Sequence, residues 1–117
     1  MIRRAIPVLH VTNTAKALTF YHGLGFQLEF EHHAQGAAGD PCYMGISRDG
    51  VWLHLSSFAG DGVTGAVANL MVDSVDSLYA EFSARDVHIE VPPVDQSWGS
   101  REMYVKDGDG NCLRFIA

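Results

Sequence analysis

Six histidines, two cysteines, two tryptophans and fourteen acidic residues are the groups in this 117-residue chain that could do chemistry. A catalytic zinc needs about three protein ligands at compatible spacing. His10, His22, His32, His33 and His88 offer no second ligand at helical or hairpin spacing. His32 and His33, adjacent on a strand end, point to opposite faces. Cys42 and Cys112 form no C-x-x-C, so zinc ribbons and disulfide-framed mini-proteins are excluded, and both read as buried thiols of a reducing cytoplasm. There is no G-x-S-x-G and neither cysteine adjoins a histidine, which leaves no activated nucleophile. Gly108-x-Gly110, flanked by Asp107 and Asp109, reads as a hairpin turn that would repel phosphate. His54, Glu102 and Tyr104 could move protons, but such residues line binding clefts equally well. The chemistry on offer is binding, and no catalytic residue is assigned.

Composition bounds the partners. Hydrophobic residues at 47% and charged residues at 19% fit one ordinary globular domain. A net charge of −6 repels nucleic acid and anionic lipid and weakly attracts cationic ligands. No apolar run approaches the roughly 18 residues of a membrane span. Met1 to Pro7 runs straight into a strand-like pattern without the apolar stretch of a secretion signal, so the expected location is the cytoplasm.

The elements that must position these groups come in two similar sets. Ile6–Val11 reads as a strand; Asn13 is a candidate N-cap for a helix carrying Ala17, Leu18, Phe20 and Tyr21; Gly23 and Gly25 stop it. Phe26, Leu28 and Phe30 then alternate with polar neighbours, and Tyr43–Ser47 and Val51–Ser57 form a hairpin about Asp49-Gly50. The glycine-rich stretch 59–65 reads as a linker. Beyond it Ala66–Val72 is a strand, Ser74 a cap, and Leu78, Tyr79 and Phe82 a helix stripe. Val87, Ile89 and Val91 read as a strand that Pro92-Pro93 ends, followed by Glu102–Lys106 and Cys112–Ile116. Sliding the chain by about 60 residues superimposes one half on the other in pattern. The expected fold is therefore α+β: two βαβββ modules, near 1–58 and 66–117 of one domain, whose mixed sheets curl around a cleft.

Alternation sorts the side chains. Leu53 and Leu55 should pack under a helix, leaving Trp52, His54 and Ser56 toward the cleft; Leu113 and Phe115 do the same for Arg114. Met103 and Val105 leave Tyr104 and Glu102 on the other face, His10 shares a face with Ile6, and Trp98 sits in a polar loop. The candidate ligand-binding residues are His10, Trp52, His54, Trp98, Tyr104 and Arg114. Arg114 either meets ligand or pairs with a carboxylate such as Glu102, because a buried charge must be paired.

Ile6-Pro7-Val8-Leu9, Phe20-Tyr21 and Leu24-Gly25-Phe26 resemble the first module of the vicinal oxygen chelate superfamily, which holds glyoxalases, extradiol dioxygenases and the fosfomycin- and bleomycin-resistance proteins. Trp98-Gly99, Arg101-Glu102, Lys106-Asp107 and Gly110-Asn111-Cys112 resemble the end of bleomycin-resistance proteins, with Gly108 where proline is usual and Ser100 as an insertion. The resemblance places the superfamily's four metal ligands at Ile6, His54, Val67 and Arg114. Two of these are aliphatic and one is a permanent cation, so no metal and no cofactor are expected. It further implies metal-free sequestration of a bulky cationic small molecule such as a bleomycin-like glycopeptide. A homodimer is implied too, with the first strand exchanged at Pro7. The alternative is a glyoxalase- or dioxygenase-type metal enzyme with atypical ligands.

Overall fold

The structure, a computed structural model, describes residues 1–36 and 38–117. Two ten-residue helices sit at equivalent places in the two halves, α1 (Thr14–Gly23) and α2 (Val75–Ala84). Asn13 caps the first by accepting from the Lys16 amide at 3.0 Å, and Ser74 caps the second by accepting from the Ser77 amide at 3.1 Å. Each cap satisfies a donor the first helical turn leaves free.

Around them lie eight strands: β1 (Val8–His10), β2 (Gln27–His33), β3 (Cys42–Arg48), β4 (Val51–Ser56), β5 (Val67–Met71), β6 (Val91–Asp95), β7 (Arg101–Lys106) and β8 (Cys112–Ile116). They form two four-stranded mixed sheets of the same topology, β1-β4-β3-β2 and β5-β8-β7-β6, with β1 parallel to β4 and β5 parallel to β8. The β3–β4 hairpin turns on Asp49 and Gly50 with φ of 52° and 78°, the left-handed pair a tight two-residue turn requires.

One face of each sheet is buried. Leu9, Val11, Met44, Ile46, Leu53 and Leu55 from the first sheet join Ala68, Leu70, Met103, Val105, Leu113 and Phe115 from the second in one apolar cluster with Tyr21 and Phe82. A polar knot ties the halves beside it. The Tyr21 hydroxyl donates to Asp107 Oδ2 at 2.8 Å, and Asn111 Nδ2 donates to the same oxygen at 2.9 Å and to the His10 carbonyl at 2.8 Å. Arg48 adds a second tie, donating to Glu81 at 2.6 and 2.9 Å.

Three details depart from the pattern read in the sequence. The stripe of α2 is Val75, Leu78 and Phe82, spaced i, i+3, i+7, and Tyr79 is 37% exposed instead of buried. The strand near Pro92-Pro93 does not end there: β6 begins at Val91 and contains both prolines. As an edge strand it pairs only with β7, and the prolines fall inside a register shift between Val91 and Val94, where no ladder N–H is needed. Finally, β2 carries a bulge between Leu28 and Phe30, which turns Phe30 away from the face shared by Phe26 and Leu28.

Candidate functional site

The face of each sheet opposite the helices carries five of the six candidate residues, and Trp98 joins those of the second sheet from the turn between β6 and β7. On the first sheet, register pairs His54 with Val8 and Gly45, Ser56 with His10 and Tyr43, and Trp52 with Ser47, so all of these share one face. The bulged Phe30 joins them. Its ring stacks on Tyr43 at 6.3 Å and on Trp52 at 6.4 Å, and meets His54 edge-on at 5.4 Å. This arrangement depends on Gly45, because a Cβ there would collide with the Phe30 ring. The result is an aromatic wall of Phe30, Tyr43, Trp52 and His54, over which the Arg4 guanidinium lies 4.9 Å from the Trp52 ring.

This setting disfavours the charged form of His54. Burial lowers its pKa first, and the nearby Arg4 charge lowers it further. Burial pushes the Tyr43 phenol up, so it keeps its proton. Tyr43 Oη and His54 Nδ1 are 2.7 Å apart. A neutral imidazole accepting at Nδ1 from that hydroxyl carries its own proton on Nε2. His10 lies further along the same face but outside the ring contacts, its Nδ1 bonded to the Asp61 carbonyl at 2.9 Å.

The second wall is organised by Glu102. Its buried carboxylate accepts from Ser100 Oγ at 2.5 Å, Tyr104 Oη at 2.8 Å and Trp98 Nε1 at 3.0 Å. The Ser100 and Tyr104 bonds, in that order, hold the carboxyl below the usual range, and the same bond raises the Tyr104 phenol. Trp98 is thereby tethered by its nitrogen while 69% exposed. Arg114 stacks 5.0 Å over the Tyr104 ring. The Arg114–Glu102 ion pair, one of the two alternatives read in the sequence, does not form; Glu102 bonds Ser100, Trp98 and Tyr104 and only feels the Arg114 charge.

The structure thus brings His10, Trp52 and His54 to one wall and Trp98, Tyr104 and Arg114 to another. Among the described residues no hydrogen bond or ring contact joins side chains of the two walls. A cavity of about 310 Å³ lined by Arg4, Pro7, Trp52 and Asn69 lies between the first wall and β5. Another of about 500 Å³, lined by Phe26, Arg48, Leu78 and Phe115 among others, holds none of the six candidates. Phe30 and Tyr43 were missed in the sequence; the signal was Gly45, whose missing side chain is what lets an aromatic ring lie across the strand.

The positions that the resemblance assigns to a metal do not fit one. His54 is the only donor among them, with Nδ1 already engaged, while Ile6 and Val67 are aliphatic and Arg114 is a cation. Among the described residues no group of three His, Cys, Asp or Glu side chains could hold an ion. Nor, among them, is any helix long and apolar enough to cross a membrane.

Two unclosed βαβββ sheets of this kind define a recognised class. The chain is similar in structure to a bleomycin-binding protein complexed with bleomycin, at TM-score 0.77 and 22% identity over 98% of each chain. It is similar to the bleomycin resistance determinant encoded on the transposon Tn5, at TM-score 0.78 and 23% identity over 98% of this chain and 97% of that one. A glyoxalase/bleomycin resistance protein from Streptomyces sp. CB03234 matches at TM-score 0.75 and 24% identity, covering 98% and 100%. No curated protein sequence matches. The glyoxalase superfamily model matches residues 1–117, and the chain belongs to that superfamily.

Proposed function

We propose that this protein binds and sequesters a bulky, partly aromatic, cationic small molecule of the bleomycin-like glycopeptide type, without a metal and without chemistry. The observation that carries the reading is the first wall: four rings on one sheet face with a guanidinium already resting on Trp52. Such a surface offers stacking area and attracts positive charge, and the net charge of −6 draws cations toward it. The bleomycin complex of a structural relative supports the choice of ligand class. The donor chemistry at Ile6, His54, Val67 and Arg114 favours this over a metal enzyme.

The active form in this proposal is a homodimer in the cytoplasm with two clefts at the subunit interface, each wall covered by the other copy and the first strand exchanged at Pro7. Supporting it, Val67, Met71 and Trp98 leave 52%, 74% and 69% of their surface uncovered in the single chain, and β1 and β5 are edge strands. The test is a calorimetric titration with bleomycin at low and high salt, using the wild type and Trp52→Ala, with light scattering on the same samples. Binding weakened by salt, weakened about tenfold or more by Trp52→Ala, and carried by a dimer is the expected result. No heat at either salt removes the antibiotic, and a monomer at micromolar concentration removes the dimer.

A further inference from the structure

No carboxylate bonds the Arg114 guanidinium directly, although Glu102 lies close enough to feel its charge. Arg48 and Arg101 each reach carboxylates, at 2.6 and 3.0 Å. Arg114, although among the described residues, forms no ion pair within 4.0 Å, and its Nε is buried with no hydrogen-bond partner. The carboxylate on the same sheet face, Glu102, is taken up by Ser100, Tyr104 and Trp98. A buried donor left unpaired is uncommon in folded proteins, and here it marks a guanidinium that something else completes.

The surroundings say what that something is. Tyr104 backs the guanidinium from one side, its ring centroid 5.0 Å from Cζ. Asn69 stands opposite Arg114 on β5, with the exposed Val67 and Met71 on the same face to either side. The site therefore offers a planar fork of donors, a neighbouring amide and apolar ground. A carboxylate matches the fork in shape and can take the two Nη groups together, while Nε lies sealed beneath them. A phosphate dianion suits it less, because there is one arginine and the Glu102 charge lies nearby.

We propose that Arg114 anchors a carboxylate of the ligand, whose apolar or aromatic body lies over Val67, Met71 and Trp98. This rests on the reading of the two faces as walls of a small-molecule site, and it adds to it: the ligand is then zwitterionic, its cationic part at the Trp52 wall and its carboxylate at Arg114.

The experiment compares 1-naphthoate with its neutral isostere 1-naphthamide on the wild type, Arg114→Lys and Arg114→Gln. Affinity is read from Trp98 fluorescence in a Trp52→Phe background carried by every protein compared, and the Arg114 Nε–H resonance is followed by NMR. The expected result is a preference for the acid of about tenfold or more in the wild type, as for hydrogen bonds to a charged group. Arg114→Lys reduces the preference, since an ammonium has no fork, and Arg114→Gln abolishes it. The Nε–H signal shifts with the acid and stays in place with the amide.

Equal affinity for acid and amide overturns the anchor while leaving aromatic binding standing, and a preference that survives Arg114→Gln overturns it too. If neither probe binds, the anchor falls whatever the bleomycin titration gives. If Arg114→Gln alters only the monomer–dimer equilibrium, the counter-ion is a carboxylate of the second copy, and the proposal fails.

Discussion

Replacing Tyr21 with phenylalanine removes one oxygen from the knot between the two modules and nothing else from the fold. The ring is fully buried and keeps its edge contacts with Phe20 and Phe26, at 5.2 and 6.2 Å between centroids. What is lost is the 2.8 Å bond to Asp107, one of four that the carboxylate accepts; the others come from Asn111 Nδ2 and from the amides of Asp109 and Asn111. The acceptor is charged and 8% exposed, so no water readily replaces the hydroxyl. A hydrogen bond to a charged group contributes about 1.5–3 kcal/mol. For a chain of this length each kcal/mol moves Tm by about 4 °C, which predicts a fall of about 6–12 °C. The bond spans 86 residues of sequence, so the loss should appear in a single cooperative transition and not as early melting of one half. Differential scanning calorimetry and urea titration read both quantities. The Asp107→Asn background checks the assignment, since there Tyr21→Phe should cost about half as much or less. A Tm change below about 2 °C, or an unaltered cost in that background, would refute the view that this hydroxyl–carboxylate pair holds the modules together.

Two further perturbations address the aromatic wall. Gly45→Ala puts a methyl group where the Phe30 ring lies, so the ring must leave Tyr43, Trp52 and His54; each aromatic contact contributes about 0.5–1.5 kcal/mol. The expected outcome is a folded protein with bleomycin affinity reduced about tenfold, and unchanged affinity would show that the bulge at Phe30 serves no ligand. His54 titrates below the ordinary histidine value of 6.5 because burial and then Arg4 disfavour its charged form. The unfolded chain thus binds this proton more readily than the folded one, so stability falls as pH drops below about 6.5 and levels off below the folded pKa. Arg4→Ala should move the His54 titration, followed by NMR, upward toward 6.5, and a downward or absent shift would contradict the placement of Arg4 over this wall.

How far the sequence carried this reading can be traced residue by residue. Both caps, the Asp49-Gly50 turn and the strand Cys112–Ile116 were legible because each depends on local chemistry: a side-chain acceptor, a left-handed pair, a clean alternation. The faces on which Trp52, His54, Tyr104 and Arg114 lie were legible through the same alternation on β4, β7 and β8. Phe30 was not, since a bulge inserts one residue and reverses every orientation beyond it, and nothing in Glu29-Phe30 announces a bulge. Pro92-Pro93 misled in the opposite sense: prolines forbid a central strand but not an edge strand, and edge position is a property of the assembled sheet. The pairing state of Arg114 was equally hidden. Whether Glu102 is free to meet it depends on Trp98, Ser100 and Tyr104 arriving first, which only tertiary structure decides.

The same arginine bears on how one frame can present different chemistry at the positions the resemblance assigns to a metal. Backbone topology fixes which positions face across the sheets, and side chains at those positions decide what enters. A divalent ion about 4 Å from a guanidinium meets a repulsion of about 8 kcal/mol at an effective dielectric constant of about 20, before any missing ligand is counted. Building a metal site at the positions the resemblance assigns would therefore require removing Arg114 as well as supplying donors at Ile6 and Val67, so the barrier is electrostatic as much as coordinative. An organic molecule with a carboxylate meets the opposite field at the same spot. In the proposal above the Arg114 guanidinium would select one end of a ligand, and Phe30, Tyr43 and Trp52 the other. Recognition by two unlike walls needs both ends present in one molecule, and this is what would separate a cognate ligand from the many cations and aromatics that satisfy only one.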